Sequence, residues 1–75
     1  MKNILLEIRL LKDGTEKDFL LKTYNSAKRY MHDEDEQALE IIISRLNGLF
    51  DGMSKKAQEI SVELVNEILE VIGKT

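Results

Sequence analysis

No proline occurs anywhere in the 75 residues, so every position can in principle sit inside a helix. Punctuation falls to four glycines, Gly14, Gly48, Gly52 and Gly73. Between them, apolar residues recur at helical spacing. Over 15–31, Phe19, Leu20, Thr23, Tyr24, Ala27, Tyr30 and Met31 share one face at about 100° per residue, with Asp18, Lys22, Asn25 and Arg29 on the other. Over 35–50 the arc is Ala38, Leu39, Ile42, Ile43, Leu46, Leu49 and Phe50, with Ile41 turned away beside Arg45. The run Asp33-Glu34-Asp35-Glu36 lies at the start of this second helix, where carboxylates complement the helix dipole. Asp51-Gly52 marks a turn, Ser54 is a natural N-cap, and a last helix is expected over 54–72, closed by Gly73 at its C-terminus.

The segment 4–11 reads two ways. Ile4, Leu6, Ile8 and Leu10 alternate as a half-buried strand would, and Lys12-Asp13-Gly14 suits a hairpin turn. Leucine content and the scarcity of β-branched residues favour helix instead, and no second strand follows Gly14. The expected fold is therefore an all-α, small antiparallel four-helix bundle with helices near 3–12, 15–31, 35–50 and 54–72. An N-terminal β-hairpin followed by two or three helices is the alternative. The predicted core comprises Phe19, Leu20, Ala27, Leu39, Ile42, Leu46, Leu64, Val65, Ile68 and Leu69.

Composition bounds the function. With 43% apolar and 33% charged residues the chain is globular, and its length allows a single helical domain over 1–75. Without cysteine there is neither disulfide framework nor thiolate metal site, which agrees with a reducing cytoplasm. The apolar start of the chain is broken by Glu7 and Arg9, and no run reaches the roughly 20 apolar residues that a membrane-spanning helix requires. The expectation is a soluble, cytoplasmic protein without membrane insertion.

Catalytic signatures are missing. No glycine-rich loop precedes Lys-Ser or Lys-Thr, and His32 is the only histidine. A calcium loop beginning at Asp33 would need Gly at 38 and Glu at 44, where Ala38 and Ser44 stand; His32 reads as part of a solvated corner. A carrier-protein role would need an Asp-Ser-Leu attachment site, and none occurs. The sequence thus predicts no enzyme, no cofactor and no metal.

Charge is unevenly distributed. Residues 1–31 carry seven bases against four acids, a net +3, whereas residues 32–75 carry four bases against ten acids, a net −6. Lys28-Arg29-Tyr30 could touch phosphate, but the net charge of −3 opposes direct nucleic-acid binding. The last helix is the most distinctive element. Its apolar residues cover roughly 200° of arc, wider than the stripe of about 100° that one core needs. Ile60, Leu64, Ile68 and Val71 form one stripe and Val62, Val65, Leu69 and Ile72 a second, with coiled-coil-like spacing. Either both stripes are buried within the domain, or the second forms a symmetric homodimer. Opposite them, Glu59, Glu63, Glu67 and Glu70 form a carboxylate ridge with no Lys or Arg on the helix after Lys56. A solubilising face is the plain reading of that ridge; a surface steering a basic protein partner is the sharper one.

Leu20-Leu21 with Tyr24, Ile43-Ser44-Arg45-Leu46 with Leu49, Glu63-Leu64 and Ile72-Gly73-Lys74-Thr75 together give the helical part a faint resemblance to the enterocin A-type (class IIa) bacteriocin immunity proteins. The resemblance covers about two-thirds of the chain and rests on core-spacing residues common to bundles. It implies a cytoplasmic four-helix bundle that protects its host cell. The family usually extends further at its C-terminus, in the region associated with recognising the cognate bacteriocin system, and this chain stops at Thr75. The functional expectation is a non-enzymatic binding protein conferring immunity to a bacteriocin. The alternative is a small acidic inhibitor, encoded by a phage or other mobile element, that binds a basic surface of a nucleic-acid-processing protein.

Overall fold

In the computed structural model, which describes residues 3–73, the chain forms α1 (Ile4–Arg9), α2 (Thr15–Asp33), α3 (Glu36–Leu49), a 3-10 turn (Phe50–Gly52) and α4 (Lys55–Ile72). Helix accounts for 85% of the described residues, and no strand occurs among them. The hairpin alternative is thereby removed. Instead of running over 3–12, α1 ends at Arg9, and the next residue, Leu10, is 75% exposed.

Side chains fix three of the four helix starts. Asn3 Oδ1 accepts from Leu6 N–H at 3.0 Å, Asp35 Oδ1 from Ala38 N–H at 3.2 Å, and Ser54 Oγ from Ala57 N–H at 3.3 Å. The exception, α2, follows Gly14 at φ +154° and ψ −173°, a region essentially closed to residues with a Cβ. At its other end α2 stops at Glu34, held in the left-handed region at φ +56°. There Glu34 N–H donates to Met31 O at 3.2 Å and Asp35 N–H to Tyr30 O at 3.0 Å, closing the helix end as a glycine usually would. Gly73 differs from its expected C-terminal role: it stays near the helical region at φ −79°, with its N–H donating to Leu69 O at 2.7 Å.

Two contacts fix the helix directions. Glu16, in the first turn of α2, reaches Ser54 at the start of α4, and Lys28 further along α2 reaches Glu67 further along α4. Thus α2 and α4 run parallel, and α3, joined to each by a short connection, runs antiparallel to both. All three touch one another. The short α1 packs on α2 and α4 without touching α3 among the described residues, so it covers just one of the three inter-helix grooves.

The core is centred on Ile60, Leu64 and Ile68 of α4, Leu20 and Ala27 of α2, and Leu39 and Leu46 of α3, each at 0–1% exposure. Ile4 and Ile8, four residues apart on α1, complete it. Three predicted core residues sit further out than expected. Phe19 and Val65 are half-buried against the core, and Leu69 is 50% exposed. The predicted arcs run wider than the space between helices, so their edges remain outside. Two polar residues are buried with the core, Thr23 at 7% and Ser61 at 1% exposure. The Ser61 hydroxyl donates to Met53 Sδ at 3.2 Å.

At the shared start of α2 and α4, Ser54 N–H donates to Glu16 Oε2 at 2.8 Å and Ser54 Oγ–H to Glu16 Oε1 at 2.6 Å. Glu16 thereby does from a separate helix what the third residue of a capping box does within one. The two hydrogen bonds, side-chain first and backbone second, favour the carboxylate and hold its pKa below the ordinary value of 4.5.

Candidate protein-binding surface

The surface begins with a mismatch on α4. The residues pointing at the core are Ala57, Ile60, Ser61, Leu64 and Ile68, all buried. At about 100° per residue, the apolar arc continues past them on the side of α3. Val65 and Ile72 come first and are half-buried; Leu69 and Val62 follow and are 50% and 47% exposed. Of the two alternatives, full internal burial of both stripes is not met. Ile60, Leu64 and Ile68 of the first stripe are core with Val71 half-buried, while in the second Val65 and Ile72 are half-buried and Val62 and Leu69 about half exposed. Three helices close around one stripe only, and α1 covers the opposite flank of α4.

Beside the outer stripe lies a shallow cavity of about 90 Å³ between α3 and α4, bounded by Leu46 and Phe50 on one wall and Val62, Val65 and Asn66 on the other. Leu49, 50% exposed, lies one turn beyond Leu46 on α3. The apolar strip is thus continuous with a shallow notch between α3 and α4.

The carboxylate ridge occupies the remaining arc. Glu59 and Glu70 are exposed, while Glu63 and Glu67 turn toward α2 and are partly covered. Lys28 of α2 approaches Glu67 at 3.5 Å, and Lys56 approaches Glu59 at 4.0 Å. The structure thus brings to the ridge a cation that its own helix does not carry. Lys56 also lies 3.7 Å from Glu7 Oε1 of α1, whose Oε2 is enclosed without a hydrogen-bond partner. The outward edge of the ridge is therefore Glu59 and Glu70, bordering Val62 and Leu69 across Asn66.

The other sequence candidates separate. Lys28 lies 5.6 Å from the Tyr24 ring and pairs with Glu67 of α4, whereas Arg29 lies 5.4 Å from the Tyr30 ring. Their adjacency in sequence makes no joint phosphate site. His32 is exposed in the last turn of α2. Among the described residues, no group of three His, Asp or Glu side chains is arranged to hold a metal ion, and no helix is long and apolar enough to cross a membrane. No protein-family model matches the chain, no curated protein matches it in sequence, and no solved structure matches it in fold.

Proposed function

We propose that the chain is a non-enzymatic binding protein that docks a basic, amphipathic segment of a partner protein along α4. One observation carries this reading: Val62 and Leu69, 47% and 50% exposed, run beside the exposed carboxylates Glu59 and Glu70 on a single helix. An apolar strip edged by one sign of charge suits a helix with the opposite edge, the strip supplying burial and the edge supplying orientation and association rate. Immunity to a bacteriocin is the biological form we assign to this docking. Inhibition of a nucleic-acid-processing protein is the second form, favoured by the same carboxylates because such proteins present basic surfaces.

The test is expression in a panel of bacteriocin-sensitive strains, with the parent chain beside Glu59→Lys/Glu70→Lys and Leu69→Asn variants. Protection by the parent, reduced by both variants at unchanged helix content, supports the reading. Unchanged sensitivity across the panel removes the immunity form. Protection indifferent to both variants removes α4 as the docking surface.

A further inference from the structure

A second groove lies on the far side of α3, between α2 and α3, where no helix covers it among the described residues. Its cavity of about 160 Å³ is lined by Phe19, Lys22, Thr23 and Ser26 of α2 and Ile42 and Arg45 of α3. The lining thus combines two cationic residues, both exposed, and two hydroxyl residues with an aromatic and an isoleucine, and it contains no carboxylate. Among the described residues neither Lys22 nor Arg45 has an ion-pair partner, although Lys17, Lys28 and Lys56 each have one. Asp18, one turn before Lys22 and the nearest acid to it on α2, is exposed and makes no ion pair with it.

Thr23 makes this groove more than a pair of surface cations. It is 7% exposed, and its hydroxyl has no hydrogen-bond partner among the described residues. Buried hydroxyls ordinarily find partners, in a helix most simply the carbonyl one turn back. The enclosed side-chain oxygen without a partner is Glu7 Oε2, so the Thr23 hydroxyl keeps an opening, and the groove is the space that Thr23 lines. The Thr23 hydroxyl is thus a donor open to the groove beside two cations without ion-pair partners.

We infer that the α2–α3 groove binds a phosphate monoester, held by Lys22, Arg45 and the hydroxyls of Thr23 and Ser26. Charge and geometry select this ligand. Two formal positive charges match the −1.5 to −2 that such a group carries near pH 7. The guanidinium supplies a planar fork for two oxygens, the ammonium a point charge, and the hydroxyls two further donors. A single carboxylate offers one negative charge and leaves one cation unmatched. The cavity is close to the size that holds one benzene-sized group, about 150 Å³, so the phosphate enters and what it esterifies stays outside. This site is independent of α4 and stands or falls separately from the docking proposed there.

Amide chemical-shift titration of the full chain with inorganic phosphate, at pH 7.5 and ionic strength held constant with chloride, reads the site directly. The expected result is saturable shifts centred on Lys22, Thr23, Ser26 and Arg45, with half-saturation on the order of 1 mM. Arg45→Gln is expected to weaken binding about tenfold and Thr23→Val about fivefold, from loss of a charge-assisted and a neutral hydrogen bond respectively. Lys55→Gln, remote on α4, leaves the titration unchanged. If Thr23→Val lowers helix content, Ser26→Ala takes its place with the same expected direction. Glycerol 3-phosphate and a phosphoserine hexapeptide then separate the sources. Equal binding assigns the groove to small soluble phosphates, and tighter binding of the peptide assigns it to a phosphorylated protein. Non-saturating shifts spread over the basic residues, or saturation unaffected by Arg45→Gln, overturn the inference.

Discussion

The α2–α4 and α3–α4 grooves are built alike, from amphipathic helices packed side by side, and end differently. Over the first lies α1, whose Ile4 and Ile8 are 5% and 0% exposed, and the seam is tied by Glu16–Ser54 and Lys28–Glu67. Over the second no helix lies among the described residues, and the polar links near it are local ones between the 3-10 turn region and α4. Gln58 Nε2 donates to Phe50 O at 2.9 Å, and Ser61 Oγ to Met53 Sδ. Six residues of helix convert an inter-helix groove into core. Where they are absent, the same apolar patterning leaves Val62, Leu69 and Leu49 about half exposed. Apolar patterning thus identifies faces that require cover, and the supply of covering elements decides which of them receive it.

The sharpest way to break this comparison is to empty the cover. Ile8→Ala removes a fully buried side chain and is expected to cost about 2–5 kcal/mol, read by urea or thermal unfolding. Leu69→Ala on the uncovered side should cost less than about 1 kcal/mol, since half of that side chain is already in water. Equal losses at the two positions would mean that the second groove is filled after all, by a second copy of the chain, and sedimentation would then detect the dimer.

A smaller effect sharpens the contrast through pH. The Glu16 carboxylate is favoured in the folded chain by its bonds to Ser54, so its folded pKa lies below the ordinary 4.5. Its contribution is fully present above the unfolded value and is lost as pH falls through the lowered folded one. Glu16→Gln is therefore expected to lower stability at pH 7 by no more than about 1 kcal/mol, since solvent screens this exposed carboxylate, and to flatten the acid limb of stability against pH below 4.5. A variant curve parallel to the parent's from pH 6 to pH 3 would show that the latch does not contribute.

Of similar size but opposite sign is Glu34→Gly at the α2–α3 corner. Glu34 holds φ +56° without the freedom of glycine, so the substitution is expected to raise stability by about 1 kcal/mol, measurable as a higher urea midpoint at unchanged slope. The smallest effect is expected from Lys28→Gln. Its partner Glu67 is 3.5 Å away and both side chains are 40–50% exposed, which limits the loss to about 0.5 kcal/mol or less.

These differences explain how far the sequence could be read. The bounds of α2, α3 and α4 followed from the period of their apolar residues and from Asp35 and Ser54 at the caps. The first segment was ambiguous because Ile4, Leu6, Ile8 and Leu10 fit an alternation in which only Ile4 and Ile8 are buried, while Leu6 is 53% exposed. Burial at positions four apart is the helical answer, and it depends on which neighbours are present. Leu69 was misplaced in the core for the same reason: periodicity sets a direction, and the width of the gap between α3 and α4 sets how much of the arc fits. Ala57, Thr23 and Ser61, small and buried, mark where helices approach closely, and small residues beside apolar ones could have signalled it. The ridge of Glu59, Glu63, Glu67 and Glu70 was legible by spacing, but Lys28 was not legible as its neighbour, because the pair belongs to two helices 39 positions apart. Lys22 and Arg45 were legible as polar-face residues but not as neighbours, since only the α2–α3 packing brings them to one cavity.

The Glu16–Ser54 latch has a consequence for the order of folding. Its partners are 38 positions apart, so the first turn of α4 is completed by a residue that must first be delivered by the packing of another helix. The α2–α3 hairpin closes a much shorter loop and therefore has the lower entropic barrier. On a ribosome, α4 also emerges after α2 and α3. Its opening turn is thus expected to form late, as a seal on a preassembled hairpin rather than as a seed. In a kinetic experiment Ser54→Ala should then accelerate unfolding and leave the folding rate nearly unchanged. A slowed folding rate would instead make this corner the place where the chain begins.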